Sequence, residues 1–178
     1  LNASGHAGGG AGGSVWLTVG ALTGSGWVEA KGGDRYPGWA GGGGGGGRIA
    51  VYAGDSGGFA GFEASSVNGG AGAEHAGEVG SEVFITSSGA LDNLDVYDSF
   101  TLPGTSGVFD TVTVHASGVL NIGPCFARNA NALNIGTGAV LRVGGGSTLT
   151  VSNTLWVANG ATLLCQGLNT TGQVDGVW

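Results

Sequence analysis

The chain repeats itself, at two different spacings. Ser14-Val15-Trp16-Leu17, Arg48-Ile49-Ala50-Val51 and Glu82-Val83-Phe84-Ile85 recur at one constant interval. A second apolar position, Val28, Phe62 and Val96, keeps the same interval, and Glu29 aligns with Glu63 within it. Further along the period shortens. Val112 and Val114 align with Leu133 and Ile135, and these in turn with Leu155 and Val157, the second step being one position longer than the first. Leu120 and Ile122 align in the same way with Leu141 and Val143, then with Leu163 and Cys165. Small residues separate the pairs: Ser117-Gly118, Gly138-Ala139 and Gly160-Ala161.

Apolar residues two apart mark strands with one buried face. The runs are short and rich in β-branched types, as strands are. Helical spacing is absent, and glycine disfavours helix wherever it falls. A repeat of about 20 residues cannot bury its own apolar face, so successive repeats must stack and pair strand on strand. The expected fold is therefore all-β: a parallel β-helix (β-solenoid) with glycine-rich excursions between short strands. It forms one continuous domain, with 34-residue repeats over 1–98 and 21–22-residue repeats over 99–178.

Glycine supplies 42 of the 178 residues, most densely in Gly41 to Gly47. Gly-X-Y periodicity is missing and proline occurs three times, which excludes a collagen triple helix. The apolar content of 41% is enough to build a core. Two readings of the glycine run stand: a flexible loop, or close-packed backbone as in polyglycine and collagen-like bundles.

Twelve acids against five bases give a net charge of −7, which offers no footing for nucleic acid or anionic membrane. No apolar stretch approaches the length of a membrane span. The chain opens at Leu1 with no signal peptide, and reads as a mature fragment or a segment of a longer precursor. The glycine run is followed by no Lys-Ser/Thr, so it is not a phosphate loop. His6, His75 and His115 lack metal-ligand spacing. No cofactor, no metal and no catalytic residue is expected.

Three stretches carry a family resemblance: Gly12-Gly13-Ser14-Val15-Trp16-Leu17, Leu22-Thr23-Gly24-Ser25-Gly26, and Gly46-Gly47-Arg48-Ile49-Ala50-Val51-Tyr52. They resemble the glycine-rich right-handed parallel β-helix repeats of large extracellular surface proteins. Asn159-Gly160-Ala161-Thr162-Leu163 is similar to the coils of adhesin and autotransporter passenger domains. The resemblance implies an extracellular or cell-surface scaffold or adhesin and transfers no catalytic residue.

Several residues are candidates for function. Glu29 and Glu63 in register, with Asp95 nearby, would form an acidic face able to hold Ca²⁺ or simply to be solvated. Trp16, Trp27 and Trp156 fall on the outward side by the alternation, and Trp178 lies in the tail. Exposed aromatics stack on sugars or seal contacts with another chain, and aromatics packed beneath the glycine excursions do neither. Asn2-Ala3-Ser4 and Asn169-Thr170-Thr171 are N-glycosylation acceptors, so covalent glycans are expected partners. Cys125 and Cys165 lie two coils apart in the repeat, which argues against their pairing and leaves two readings, buried thiols or intersubunit thiols.

Neither end shows a capping helix, so terminal strand edges are open to further domains or to other subunits. The expected function is a structural one: a subunit or segment of a glycosylated fibre or surface scaffold, joined head to tail. An adhesin or carbohydrate-binding module is the alternative, and a polysaccharide-active enzyme ranks below both.

Overall fold

In the computed structural model the glycine run is built into the protein. Gly43 and Gly46 donate backbone hydrogen bonds to His75 and Glu78 on one side, at 3.0 and 2.8 Å. Gly44 and Gly47 donate to Gly33 and Ala30 on another side, at 2.9 and 2.7 Å. From two further segments, Gly12 donates to the Gly45 carbonyl and Gly70 to the Gly44 carbonyl. A strand pairs with two neighbours in one plane; this segment bonds to four. Such contact requires the absence of Cβ. A Cβ added at Gly46 would lie 1.7 Å from the Val67 carbonyl oxygen, and one at Gly43 would lie 1.9 Å from that of Gly70. Of the two readings of the run, close-packed backbone is the observed one.

The structure describes residues 1–87, 89–104, 106–167, 169–170 and 173–174. The chain divides into two compact units, Leu1–Ser87 and Ser88–Trp178. In the first unit, β1 (Ser14–Gly24), β2 (Arg48–Phe59) and β3 (Ser81–Thr86) form a parallel sheet in the order β1-β2-β3. Its inner face carries Val15, Ile49, Val51 and Phe84, all buried. Phe62 meets both Phe59 and Phe84 edge-to-face, with ring centroids 4.9 and 4.8 Å apart, a favourable aromatic geometry.

The second unit contains β4 (Asp92–Val96), β5 (Ser99–Leu102), β6 (Ser106–Val114), β7 (Val119–Ile122), β8 (Ala127–Ile135), β9 (Val140–Val143), β10 (Thr148–Val157), β11 (Thr162–Cys165), β12 (Asn169–Thr170) and β13 (Gln173–Val174). Strands β4-β6-β8-β10 lie side by side and parallel, as do β5-β7-β9-β11. The final pair, β12 and β13, is antiparallel. Buried residues of both parallel arrays line one small shared void, among them Val112 and Leu133 from one array and Leu120 and Leu141 from the other.

The parallel β-helix expected from the repeats is corrected by this arrangement. The described residues are all-β and free of α-helix, but no closed coil is formed. In the first unit each period contributes one strand to one sheet and continues as glycine-rich backbone that is not strand. In the second unit the strands belong to separate sheets, and the last two are antiparallel to each other. No helix among the described residues is long and apolar enough to cross a membrane.

One register also differs from expectation. Ser14 pairs with Arg48, as the repeat requires, but Arg48 pairs with Ser81 rather than with Glu82. A one-residue slip exchanges the faces of a strand. Phe84 therefore stands in the inner column with Leu17 and Val51, where it meets Phe59 and Phe62. Glu82 takes the inner position beside Ile49 and is fully buried.

The turns of the second unit repeat as faithfully as its strands. Gly118, Ala139 and Ala161 donate to the carbonyls of His115, Gly136 and Ala158, closing three equivalent turns. The third positions of these turns, Ser117, Gly138 and Gly160, have φ of 63°, 69° and 74°. A second column of left-handed positions holds Gly104, Cys125 and Gly146, with φ of 73°, 60° and 70°. Ser117 and Cys125 thus occupy slots that their equivalents fill with glycine, and a non-glycine residue is strained there.

Urea unfolding of single variants tests these contacts. Gly46→Ala is expected to destabilise by about 3 kcal/mol or more, because backbone must move. Gly20→Ala, where an added Cβ meets nothing within 4 Å, is expected to be neutral or stabilising by up to about 1 kcal/mol. Cys125→Gly is expected to be no worse than neutral and to stabilise by up to about 1 kcal/mol, since relief of the left-handed strain opposes the greater entropy of the unfolded chain.

Candidate functional site

The four inner columns of the second unit run straight through its layers. Leu94, Val112, Leu133 and Leu155 form one, and Val96, Val114, Ile135 and Val157 the next. Phe100, Leu120, Leu141 and Leu163 form the third; Leu102, Ile122, Val143 and Cys165 the fourth. Chemistry is constant along each column and exposure is not. Leu133, Ile135 and Leu141 are buried, whereas Leu155, Val157 and Leu163 are 52%, 44% and 39% exposed. Among the described residues, no further parallel strand covers them. Residues whose equivalents make the core are presented to solvent at β10 and β11.

The backbone there is open as well. Among the described residues, β10 and β11 each pair on one side only, with β8 and β9. Soluble proteins protect such edges with charge, proline or bulges. The sequences Thr148–Val157 and Thr162–Cys165 contain no charged residue and no proline. The one irregularity in pairing lies between Val151 and Thr154. β1, the free edge of the first unit's sheet, is likewise without charge or proline.

Among the described aromatic candidates, Trp16, Trp27 and Trp156 are exposed. Trp16 packs its ring 5.0 Å from that of Tyr52 on the outer face of β1 and β2. Trp178 lies outside the described residues. Both Cys165, at the open edge, and Cys125, in its turn, are free and exposed thiols.

The acidic face does not assemble as expected. Glu29 bridges to Asn2 on one side and, on the other, to Ser66, beyond Glu63 in the chain. The insertion sits in the turn before Ser65, whose hydroxyl accepts from Val28 N–H and donates to the Gly61 carbonyl. Glu29 instead binds the Lys31 ammonium through Oε1 and accepts from Asn2 Nδ2 through Oε2 at 3.3 Å. The Lys31 hydrogen bond is the main cause that holds its carboxyl below the ordinary value of 4.5, against an opposing effect of burial. Asp95 Oδ1 lies at hydrogen-bond distance, 2.9 Å, from His115 Nε2, and the His115 ring stacks on Tyr97 at 3.8 Å. Among the described residues, no group of three or more His, Cys, Asp or Glu is placed to hold a metal ion.

Lys31 and His115 are the partners that sequence reasoning missed. Lys31 stands two positions from Glu29 on the same side of an extended segment, a spacing that could have identified it. His115 is one layer from Asp95 in the stacking of β4 on β6, and follows from the repeat only once that layer is assigned.

Of the two acceptor asparagines, Asn2 is exposed and its Oδ1 accepts from Ser4 N–H at 2.7 Å. The backbone of Asn169 pairs with Val174 in β12 and β13, and Thr171 of that acceptor lies outside the described residues.

No protein-family model, no curated protein and no solved structure matches this chain.

The Glu29–Lys31 pair has a pH signature of definite sign. A carboxylate whose pKa is depressed in the folded state contributes stability above its unfolded value, and loses it as pH falls through the folded value. The stability difference between the native protein and Glu29→Gln is therefore expected to be largest near neutrality. It should vanish at acid pH below the ordinary carboxylate range, measured by urea unfolding across a pH series.

Proposed function

We propose that this chain is an extracellular structural protein, a subunit or segment of a fibre or surface scaffold that grows by strand addition between copies. The observation that carries the reading is the open layer at β10 and β11, where core-type residues and unpaired backbone are presented together. A second copy would place its free β1 edge against β10, continuing the inner columns with Val15, Leu17 and Val19. Because the two edges differ, the contact is heterologous, and heterologous contacts that do not close into rings generate open fibres.

The energies favour reversible growth. Burying the exposed halves of Leu155, Val157 and Leu163 contributes about 2–5 kcal/mol. Association costs roughly 4–15 kcal/mol in lost freedom, so the backbone ladder must supply the remainder. Assembly is then concentration-dependent and sensitive to a single layer of side chains. Glycans on Asn2 and Asn169 would decorate such a fibre, and exposed Trp16 and Trp156 would be contact residues between copies.

Electron microscopy and sedimentation of the purified chain test this. Concentration-dependent fibres are expected, and Leu155→Lys with Leu163→Lys should leave a folded monomer by circular dichroism. A chain that remains monomeric at every concentration would remove the proposal.

A further inference from the structure

The turn Tyr36-Pro37-Gly38-Trp39 is fixed by its sequence. Proline at the second position and glycine at the third, with φ of 83°, are what a type II turn calls for. Trp39 N–H donates to the Tyr36 carbonyl at 3.2 Å, closing it. Arg35 then ties the turn from beneath: its Nη1 donates to the carbonyls of Trp39 at 2.9 Å and Tyr36 at 3.5 Å. The two aromatics stand at the first and last positions of this turn and are 61% and 72% exposed.

They border an open cleft of about 530 Å³, closed on its other sides by Gly8, Ala40, Gly41 and Gly42. That volume lies within the range of small-ligand clefts, roughly 300–1,000 Å³. The glycine walls let a ligand reach backbone. Arg35 is the one charged residue lining the cleft, in a chain whose net charge is −7. Among the described residues, its Nε and Nη2 have no hydrogen-bond partner. The neighbouring Asp34 carboxylate is engaged elsewhere, accepting from Ala71 N–H at 2.7 Å. Large rigid aromatics, a cation with free donors and a shallow concave shape suit a ligand with apolar faces, many hydroxyls and negative charge.

We propose that this cleft binds a carboxylated oligosaccharide. One sugar ring packs on Trp39 and Tyr36, and a carboxylate accepts from Arg35. The inference does not depend on assembly, because it uses a turn of the first unit rather than the open edge.

Isothermal titration calorimetry on the full chain tests it, with trigalacturonate as the acidic probe and maltotriose as the neutral one. Saturable binding of trigalacturonate is expected. Trp39→Ala should weaken it roughly tenfold or more, Trp39→Phe should retain most of it, and Arg35→Gln should abolish the preference for the acidic sugar. Circular dichroism checks that each variant folds; should Trp39→Ala not fold, Arg35→Gln and Tyr36→Ala carry the test. No saturable binding, equal affinity for maltotriose, or binding unchanged by these variants would overturn the proposal.

Discussion

A backbone N–H can reach a carbonyl in a third or fourth neighbouring segment only when no Cβ stands between them. That condition governs the first unit. Around Gly43 to Gly47 the hydrogen bonds leave in four directions, and each neighbour is itself glycine-rich where it makes contact. The segments hold β1, β2 and β3 in register, because Gly13, Gly47 and Gly80 lead directly into Ser14, Arg48 and Ser81. Apolar side chains pack beside these segments through Val28 and Val67, and past them through Val15, Ile49, Val51 and the three phenylalanines. Polar backbone forms one half of the interior and apolar side chains the other.

The second unit is organised by a different rule. Each layer adds a long and a short strand, joined by a turn that needs a left-handed residue, and apolar side chains stack along the columns. Such a design has no built-in end. Among the described residues, β6 to β9 are covered on both sides, and β10 and β11 on one. The leucine that is core in β8 has its equivalent exposed in β10, so an open edge of this kind requires no special residues, only the absence of protection.

Much of the second unit was legible in the sequence. Apolar residues two apart fixed which positions paired, and every register from Val112 to Cys165 follows the shorter of the two repeat spacings. In the first unit, legibility failed where two choices had equal hydrophobicity. Val83 and Phe84 are both apolar, so the pattern could not tell which faces inward; the aromatic partners Phe59 and Phe62 decide it. Glu29 and Glu63 aligned in sequence yet parted in space because the intervening turn holds extra residues. The closed β-helix was inferred from repetition alone, which shows that units stack but not that each returns upon itself. For the open edge, the signal was present in plain view as the lack of charge and proline in β10 and β11.

The glycine packing has a consequence for how such a protein changes over generations. Wherever glycine is squeezed between backbones, every codon change to another residue adds atoms, and none removes them. Gradual exploration by point substitution is closed at those sites, and compensation by a shrinking neighbour is ruled out, because the neighbour is already backbone. Variation is channelled instead to the places the packing leaves alone: the outer face of β1, and the turn that carries Tyr36 and Trp39. Larger change must come by duplicating or deleting whole repeats, which preserves every close approach within them. The interior is inherited as a block, and novelty accumulates at its rim.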